Sequence, residues 1–218
     1  MFEVNCVSIT QPIEFDDPEH LISYCARVSN PENQTNFDTS EKLLSYCMRK
    51  KHWSIFEMID VTFEVQTTRD IGRQLLRHDM QFQEFSQRYA EVDVNSFVMR
   101  ECRLQDKKNR QNSLVTTDQD LIDGWNIWQK KVAETAAKAY QWAINNGIAK
   151  EQARAVLPEG MTPSVLYAKT SLRNWIHYVD VRSDVSTQRE HRDIANEVKI
   201  FLMEHFKFLK EYWNDEKE

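Results

Sequence analysis

The chain has 218 residues, of which 28% are charged and 41% hydrophobic, and carries a formal net charge of −6. That length suits one domain with a substantial core, and the acidic balance excludes broad nucleic-acid binding, which needs a basic surface. No apolar run is long enough to cross a bilayer, and MFEVNCVSITQPIEF lacks the basic-then-apolar layout of a secretion signal, so cytosolic residence is expected, in a host's cytosol were the chain viral.

Cys6, Cys25, Cys47 and Cys102 are scattered, with no CxxC pair and no Cys/His cluster, so they are expected to be reduced structural thiols and no metal site is expected. The 4 glycines form neither GxGxxG nor GxxxxGK[ST], which argues against a Rossmann or P-loop nucleotide site. In chain order, MFEVNCVSI alternates as an opening strand. Asp16-Asp17-Pro18 leads into a helix through HLISYCARVS, with Pro18 in the first turn. Ser40 is placed to cap EKLLSYCMRKK, with Glu41 favourable near the positive helix end. IDVTFEVQTT puts Val61, Phe63 and Val65 on one face of a strand.

Thr68 is placed to cap RDIGRQLLRH, with Ile71, Leu75 and Leu76 inward; Arg69, Arg73 and Arg77 follow i, i+4 spacing, and Gln74 is expected beside Arg77 and His78. Residues 118 to 146 form the strongest helical pattern, with Trp125, Trp128, Val132, Ala136 and Tyr140 on an apolar stripe and Asn145-Asn146-Gly147 as the stop. KEQARAVL reads as a short helix ending before Pro158, SVLYAKTSL as a second long strand, and RNWIHYVDV as the next helix. TQREHRDIANEVKIFLMEHFKFLKEYW reads as one long amphipathic helix, and KKNRQNS as a mobile loop. With no linker in view, residues 1–218 are expected to form one α+β domain.

Four polar clusters stand out. Arg73, Gln74, Arg77 and His78 end one helix; an exposed basic face is the alternative reading. Glu84, Ser86, Gln87 and Arg88 fall in QEFSQRY, where hydroxyl, amide and guanidinium groups can surround a phosphate, or else form a simple turn with a Glu84–Arg88 ion pair. Arg154 lies in KEQARAVLP, and Arg173, His177 and Arg182 share RNWIHYVDVR. A guanidinium cannot donate its proton at neutral pH, but it can stabilise a developing anion. These patterns together point to a polyanionic, heterocyclic ligand such as a nucleotide.

YCARVSNPENQ, HWSIFE, RQLLRH followed by QEFSQRYA, KNRQNSL, IAKEQARAVLP, and RNWIHYVDVR with TQREH occur in the order in which they appear in one family. The chain resembles the flavin-dependent thymidylate synthases, several blocks being strongest in their viral-type branch. The resemblance implies a central, mostly antiparallel sheet flanked by long helices, in homotetramers whose active sites are shared between subunits. It implies transfer of a one-carbon unit from 5,10-methylenetetrahydrofolate to C5 of dUMP, with FAD delivering hydride and NADPH as reductant, and without a cysteine nucleophile. Carried over by position, it assigns dUMP to Gln74, Arg77, Glu84, Ser86, Gln87, Arg88, Arg154 and Arg182, with Arg182 catalytic. It assigns FAD to Ser54, Arg77, His78, Glu84, Arg173 and His177, with His52 near flavin or folate and Asp79 and Ser171 in cofactor-facing positions. The family signature is Arg-His-Arg, seven residues, then Ser; this chain has Arg77-His78-Asp79 and six residues before Ser86. LPEGMTPS carries an extra residue, and Ser171 stands where many relatives have Asn.

Overall fold

A computed structural model describes residues 2–215. Strand β1 (Glu3–Ile9) precedes α1 (Pro18–Ala26), α2 (Ser40–Arg49), β2 (Asp60–Thr68) and α3 (Arg69–Leu75). There follow β3 (Gln81–Glu84), β4 (Arg103–Gln105), β5 (Ser113–Val115), α4 (Gln119–Asn145) and α5 (Lys150–Ala153), then β6 (Pro163–Ser171), α6 (Leu172–Arg182), α7 (Arg189–His205) and α8 (Lys207–Asp215). The main sheet has the order β1-β2-β6-β3, every pair antiparallel, and β4 and β5 form a separate hairpin. The expected α+β class with an antiparallel sheet is therefore present. No helix among the described residues is long and apolar enough to cross a membrane.

Alternation places the core. Val61, Phe63 and Val65 of β2 are fully buried on one face, as are Leu166 and Ala168 of β6. Phe63 meets Trp175 of α6 and Phe201 of α7 edge-on, and the indole of Trp175 donates to the Val61 carbonyl at 3.0 Å. Helix α3 lies close on β6: a Cβ added at Gly72 would stand 3.3 Å from Leu166 Cδ1. A smaller cluster around Val92, Tyr140, Ala143 and Ala153 ties the segment after β3 to α4, where Tyr140 Oη accepts from the Val92 amide at 3.1 Å.

Several expectations hold locally and several need correction. Asp17 caps α1 by accepting from Glu19 N, with Pro18 at the helix start, and Gly147 takes a left-handed φ of 74° just beyond α4. Met1 lies outside the described residues. Ser40 is not a cap: it is the first residue of α2, and its hydroxyl sits 2.8 Å from that of Ser23 in the interior. Thr68 stands at the cap position of α3, but its hydroxyl donates to Asp70 instead of closing the cap. Leu76 is exposed beyond the end of α3. KEQARAVL splits into α5 and a 3-10 turn over Arg154–Val156. The C-terminal amphipathic run breaks at Phe206, which is extended, into α7 and α8. KKNRQNS forms the tip of the β4–β5 hairpin, where Gln105 Nε2 donates to the carbonyls of Asp106, Arg110 and Asn112.

Two corrections bear on the site. RHDMQFQEFSQRY is neither helix nor simple turn: its centre is β3, an edge strand in unbroken register from Gln81↔Lys169 to Glu84↔Leu166. The α4 stripe is also only half covered. Ala136 and Tyr140 are buried, but Trp125, Trp128 and Val132 remain 42%, 63% and 47% exposed. Phe63→Ala should lower the unfolding free energy by about 3–5 kcal/mol, the usual cost of emptying an aromatic core site, as read from urea denaturation.

Candidate active site

Arg182, at the end of α6, donates from Nε to His78 Nε2 at 2.8 Å. A guanidinium has only donors, so His78 Nε2 must be bare and the neutral ring keeps its proton on Nδ1. Burial first, then the charges of Arg182, His177 and Arg77, hold His78 down at about 4. The His78 ring is walled by two others, Tyr178 at 5.0 Å and His191 at 6.1 Å between centroids, both nearly perpendicular to it. Burial raises the Tyr178 phenol well above its ordinary range, and burial followed by the charges of Arg182, His78 and Arg77 lowers His191 to about 3. At neutral pH the corner thus holds neutral rings beside fixed cations. Among the described residues no carboxylate pairs with Arg77, Arg154 or Arg182.

The Gln74 side chain bonds neither Arg77 nor His78, contrary to what its spacing suggested, although its backbone carbonyl accepts from the Arg77 amide at 3.4 Å. Its Nε2 donates to Gln188 Oε1 at 2.8 Å, and its Oε1 lies 3.2 Å from His191 Nδ1. Gln188 Nε2 in turn donates to Glu190, which is gripped by Arg100 and Arg103. Although burial raises the Glu190 carboxyl, its own backbone N–H, Gln188, Arg103 and Arg100 together hold it below its ordinary value.

Glu84, at the end of β3, accepts from Arg69 Nη1 at 3.1 Å and from Ser164 Oγ at 2.8 Å. The alternative reading, a turn closed by a Glu84–Arg88 ion pair, does not hold: Arg88 lies 3.6 Å from Glu151 of α5. Gln87 is buried with no partner for its Nε2 among the described residues, while Ser86 starts the turn that closes at Tyr89 and Ala90. Arg154 is half-buried beyond α5. One chain thus brings Arg182, His78, His191 and Gln74 together in a corner flanked by Arg77, while Arg88 is turned to Glu151 of α5.

The residues assigned to flavin divide similarly. Arg173, His177, Trp53, Asn174 and Asp180 line a cavity of about 210 Å³, smaller than the ~300–1,000 Å³ usual for a complete small-molecule site. Arg173 is held by Glu57 at 2.7 Å. Ser54 and His52 are exposed, and the His52 ring stands edge-on to Tyr46. Ser171 caps α6 by accepting from Asn174 N at 3.3 Å. Asp79 is exposed and makes no ion pair among the described residues; its carbonyl accepts from Thr170 Oγ1 and Asn174 Nδ2, which fastens the start of β3 to the β6–α6 junction.

The sequence reading missed Arg69, Tyr178, Gln188 and His191. The sequence marks Arg69 only by its i, i+4 spacing with Arg73 and Arg77, yet it is buried between Glu84 and Glu159. A signal existed: a cation in the first turn of a helix opposes the macrodipole and needs a carboxylate partner. Tyr178 lies one turn before Arg182, and Gln188 and His191 are three apart in the quoted TQREH block, spacings that share a helical face.

The titrations carry a prediction. An unfolded histidine takes up a proton near its ordinary value of 6.5, whereas folded His78 and His191 resist until about 4 and 3. Stability should therefore be fully expressed above pH 6.5 and fall as pH drops toward 4. The urea midpoint measured from pH 7 to 5 should decline, and His191→Leu should flatten that decline.

The sequence profile described as thymidylate synthase complementing protein matches residues 13–206. A probable flavin-dependent thymidylate synthase of Paramecium bursaria Chlorella virus 1 is 46% identical over 202 residues, 91% of this chain and 93% of that protein. The flavin-dependent thymidylate synthase of Synechocystis is 48% identical over 210 residues, 94% and 95% of the two chains. A crystal structure of the UMP/dUMP methylase PolB from Streptomyces cacaoi, bound with 5-Br dUMP, superposes with a TM-score of 0.79 at 27% identity, covering 99% of this chain and 95% of that one. Fold, ordered blocks and near full-length identity agree: this chain belongs to the flavin-dependent thymidylate synthase family.

Proposed function

We infer that the chain makes dTMP from dUMP, taking the one-carbon unit from 5,10-methylenetetrahydrofolate and reducing power from NADPH through FAD. The observation that carries the reading is Arg182 mounted on a neutral His78, with no carboxylate partner among the described residues and Arg77 equally unpaired. A guanidinium already paired with a carboxylate would have little charge left for a ligand. Arg182 instead keeps both terminal amino groups for one. Family membership and a structural relative bound to a brominated dUMP support a uridine nucleotide as that ligand.

In this reading Arg77, Arg88 and Arg154 take the phosphate and sugar side, with Ser86 and Gln87 adding neutral donors and Gln74 and Glu84 fixing the nucleotide. Arg182 faces the pyrimidine. As the pyrimidine is made nucleophilic at C5, negative charge gathers on its ring oxygens, and a fixed cation in a half-buried corner stabilises that charge more than it stabilises the neutral ground state. Because His78 accepts only through a bare Nε2, it orients Arg182 without competing for the ligand. The hydride for the new methyl group is the chemistry FAD supplies when bound. The donor set fits a flavin: His177 and Trp53 offer flat faces and Arg173, though paired with Glu57, further N–H donors, while Arg77 offers charge for its phosphates, with His52, Ser54, His78, Asp79, Glu84 and Ser171 completing the assigned shell. The small cavity and the exposed Trp125, Trp128 and Val132 support a homotetramer in which a second subunit completes each site.

Purified protein should be yellow or become so with added FAD, and should release dTMP from dUMP given methylenetetrahydrofolate and NADPH. Arg182→Ala should cut turnover by on the order of 10²–10³, the usual loss when a group stabilising a reaction anion is removed, with an unchanged circular dichroism spectrum. Full activity in that variant would overturn the mechanism. Mass spectra of products from mixed dUMP, UMP and dCMP should show methylated dUMP alone.

A further inference from the structure

His191 lies on α7, outside the residues assigned to either ligand, yet it is 0% exposed and sits at the centre of the Arg182 corner. A carboxamide oxygen only accepts, so the 3.2 Å contact with Gln74 Oε1 requires the proton on His191 Nδ1. Gln74 Nε2 meanwhile donates to Gln188 Oε1 at 2.8 Å. A donor on one side and an acceptor on the other leave the Gln74 carboxamide a single satisfied orientation. Rotated by half a turn, it would set N–H against N–H and oxygen against oxygen. In the satisfied orientation Gln74 still has one N–H left for a ligand oxygen. The opposite edge of His191 meets Tyr178 at 5.7 Å between centroids, and His78 is packed against both rings. His191 Nε2 and Tyr178 Oη are buried without a hydrogen-bond partner among the described residues. Buried polar groups left unpaired are costly, so packing alone gives no reason for a histidine here.

We propose that His191 is a positioning residue for the nucleotide site: its Nδ1–H holds the Gln74 carboxamide in the orientation that addresses the ligand. The proposal rests on the reading that Gln74 and Arg182 address dUMP. It assigns His191 no contact with the ligand, so its effect must run through Gln74.

The test is a double-mutant cycle on the FAD-loaded enzyme, with dUMP affinity measured by calorimetry for wild type, His191→Leu, Gln74→Ala and the double variant. His191→Leu should weaken dUMP binding about tenfold with an unchanged urea midpoint at pH 7 or a higher one. Gln74→Ala should weaken it similarly, and the double variant should be no worse than Gln74→Ala alone, since groups acting through one another are not additive. His191→Asn, which keeps a donor near the Nδ1 position, should recover affinity to within about threefold of wild type. Additive losses, wild-type affinity in His191→Leu, or equal impairment in the Asn and Leu variants would overturn the positioning role. If the Leu variant does not fold, the comparison of His191→Asn with Gln74→Ala decides alone: an Asn variant as impaired as Gln74→Ala overturns it. Failure of the wild-type protein to bind dUMP at all would bring down the functional reading, and this proposal with it.

Discussion

The nine-pair antiparallel register between β2 and β6, from Asp60↔Ser171 to Thr68↔Pro163, is the constraint on which everything else hangs. Helix α3 begins at the residue after β2, and α6 at the residue after β6, so the pairing fixes where both helices start. A slip of one residue would turn Val61, Phe63 and Val65 outward and reverse every side chain on the strand. It would also move α3, which delivers Gln74 and His78, relative to α6, which delivers Arg182. The Arg182 corner is thus a by-product of sheet register: two helices anchored at opposite ends of paired strands return to one place.

Within that frame the chain separates charge from proton chemistry. Among the described residues Arg77, Arg154 and Arg182 are left without carboxylates, while other carboxylates are consumed by internal partners: Glu84 by Arg69, Glu190 by Arg100 and Arg103, Glu57 by Arg173. The histidines of the corner stay neutral because burial and neighbouring guanidinium charge both oppose protonation. A neutral acceptor is the one kind of group that can orient an arginine without cancelling its charge, and that is the place His78 holds.

Much of this was legible in the sequence because strong periodicity reports burial directly. Val61, Phe63 and Val65 alternate as expected, and Asp17-Pro18 and Gly147 bound their helices as expected. The site residues were legible as a set only through ordered motif blocks. The rest failed for identifiable reasons. Gln81–Glu84 is too short and too polar to read as a strand, and becomes one only by pairing with the edge of β6. Arg69 was missed because i, i+4 spacing describes a helix face but not which face is covered. Trp125 and Trp128 fit a core stripe perfectly, but periodicity cannot say whether the covering surface belongs to the same chain. The pairs Gln74–His191 and Arg182–His78 span 117 and 104 residues, distances at which no local rule applies.

Glu19, near the start of the chain, accepts a hydrogen bond from the backbone amide of Lys207 at the head of α8, and Phe208 of that helix stacks on Phe56. The two ends of the fold are therefore sewn together across 188 residues. A nascent chain emerging from the ribosome cannot shield this carboxylate or these rings until α8 has been synthesised. The surface around Glu19 and Phe56 therefore stays open until the residues of α8 have left the ribosome, the kind of transient apolar exposure that chaperones serve.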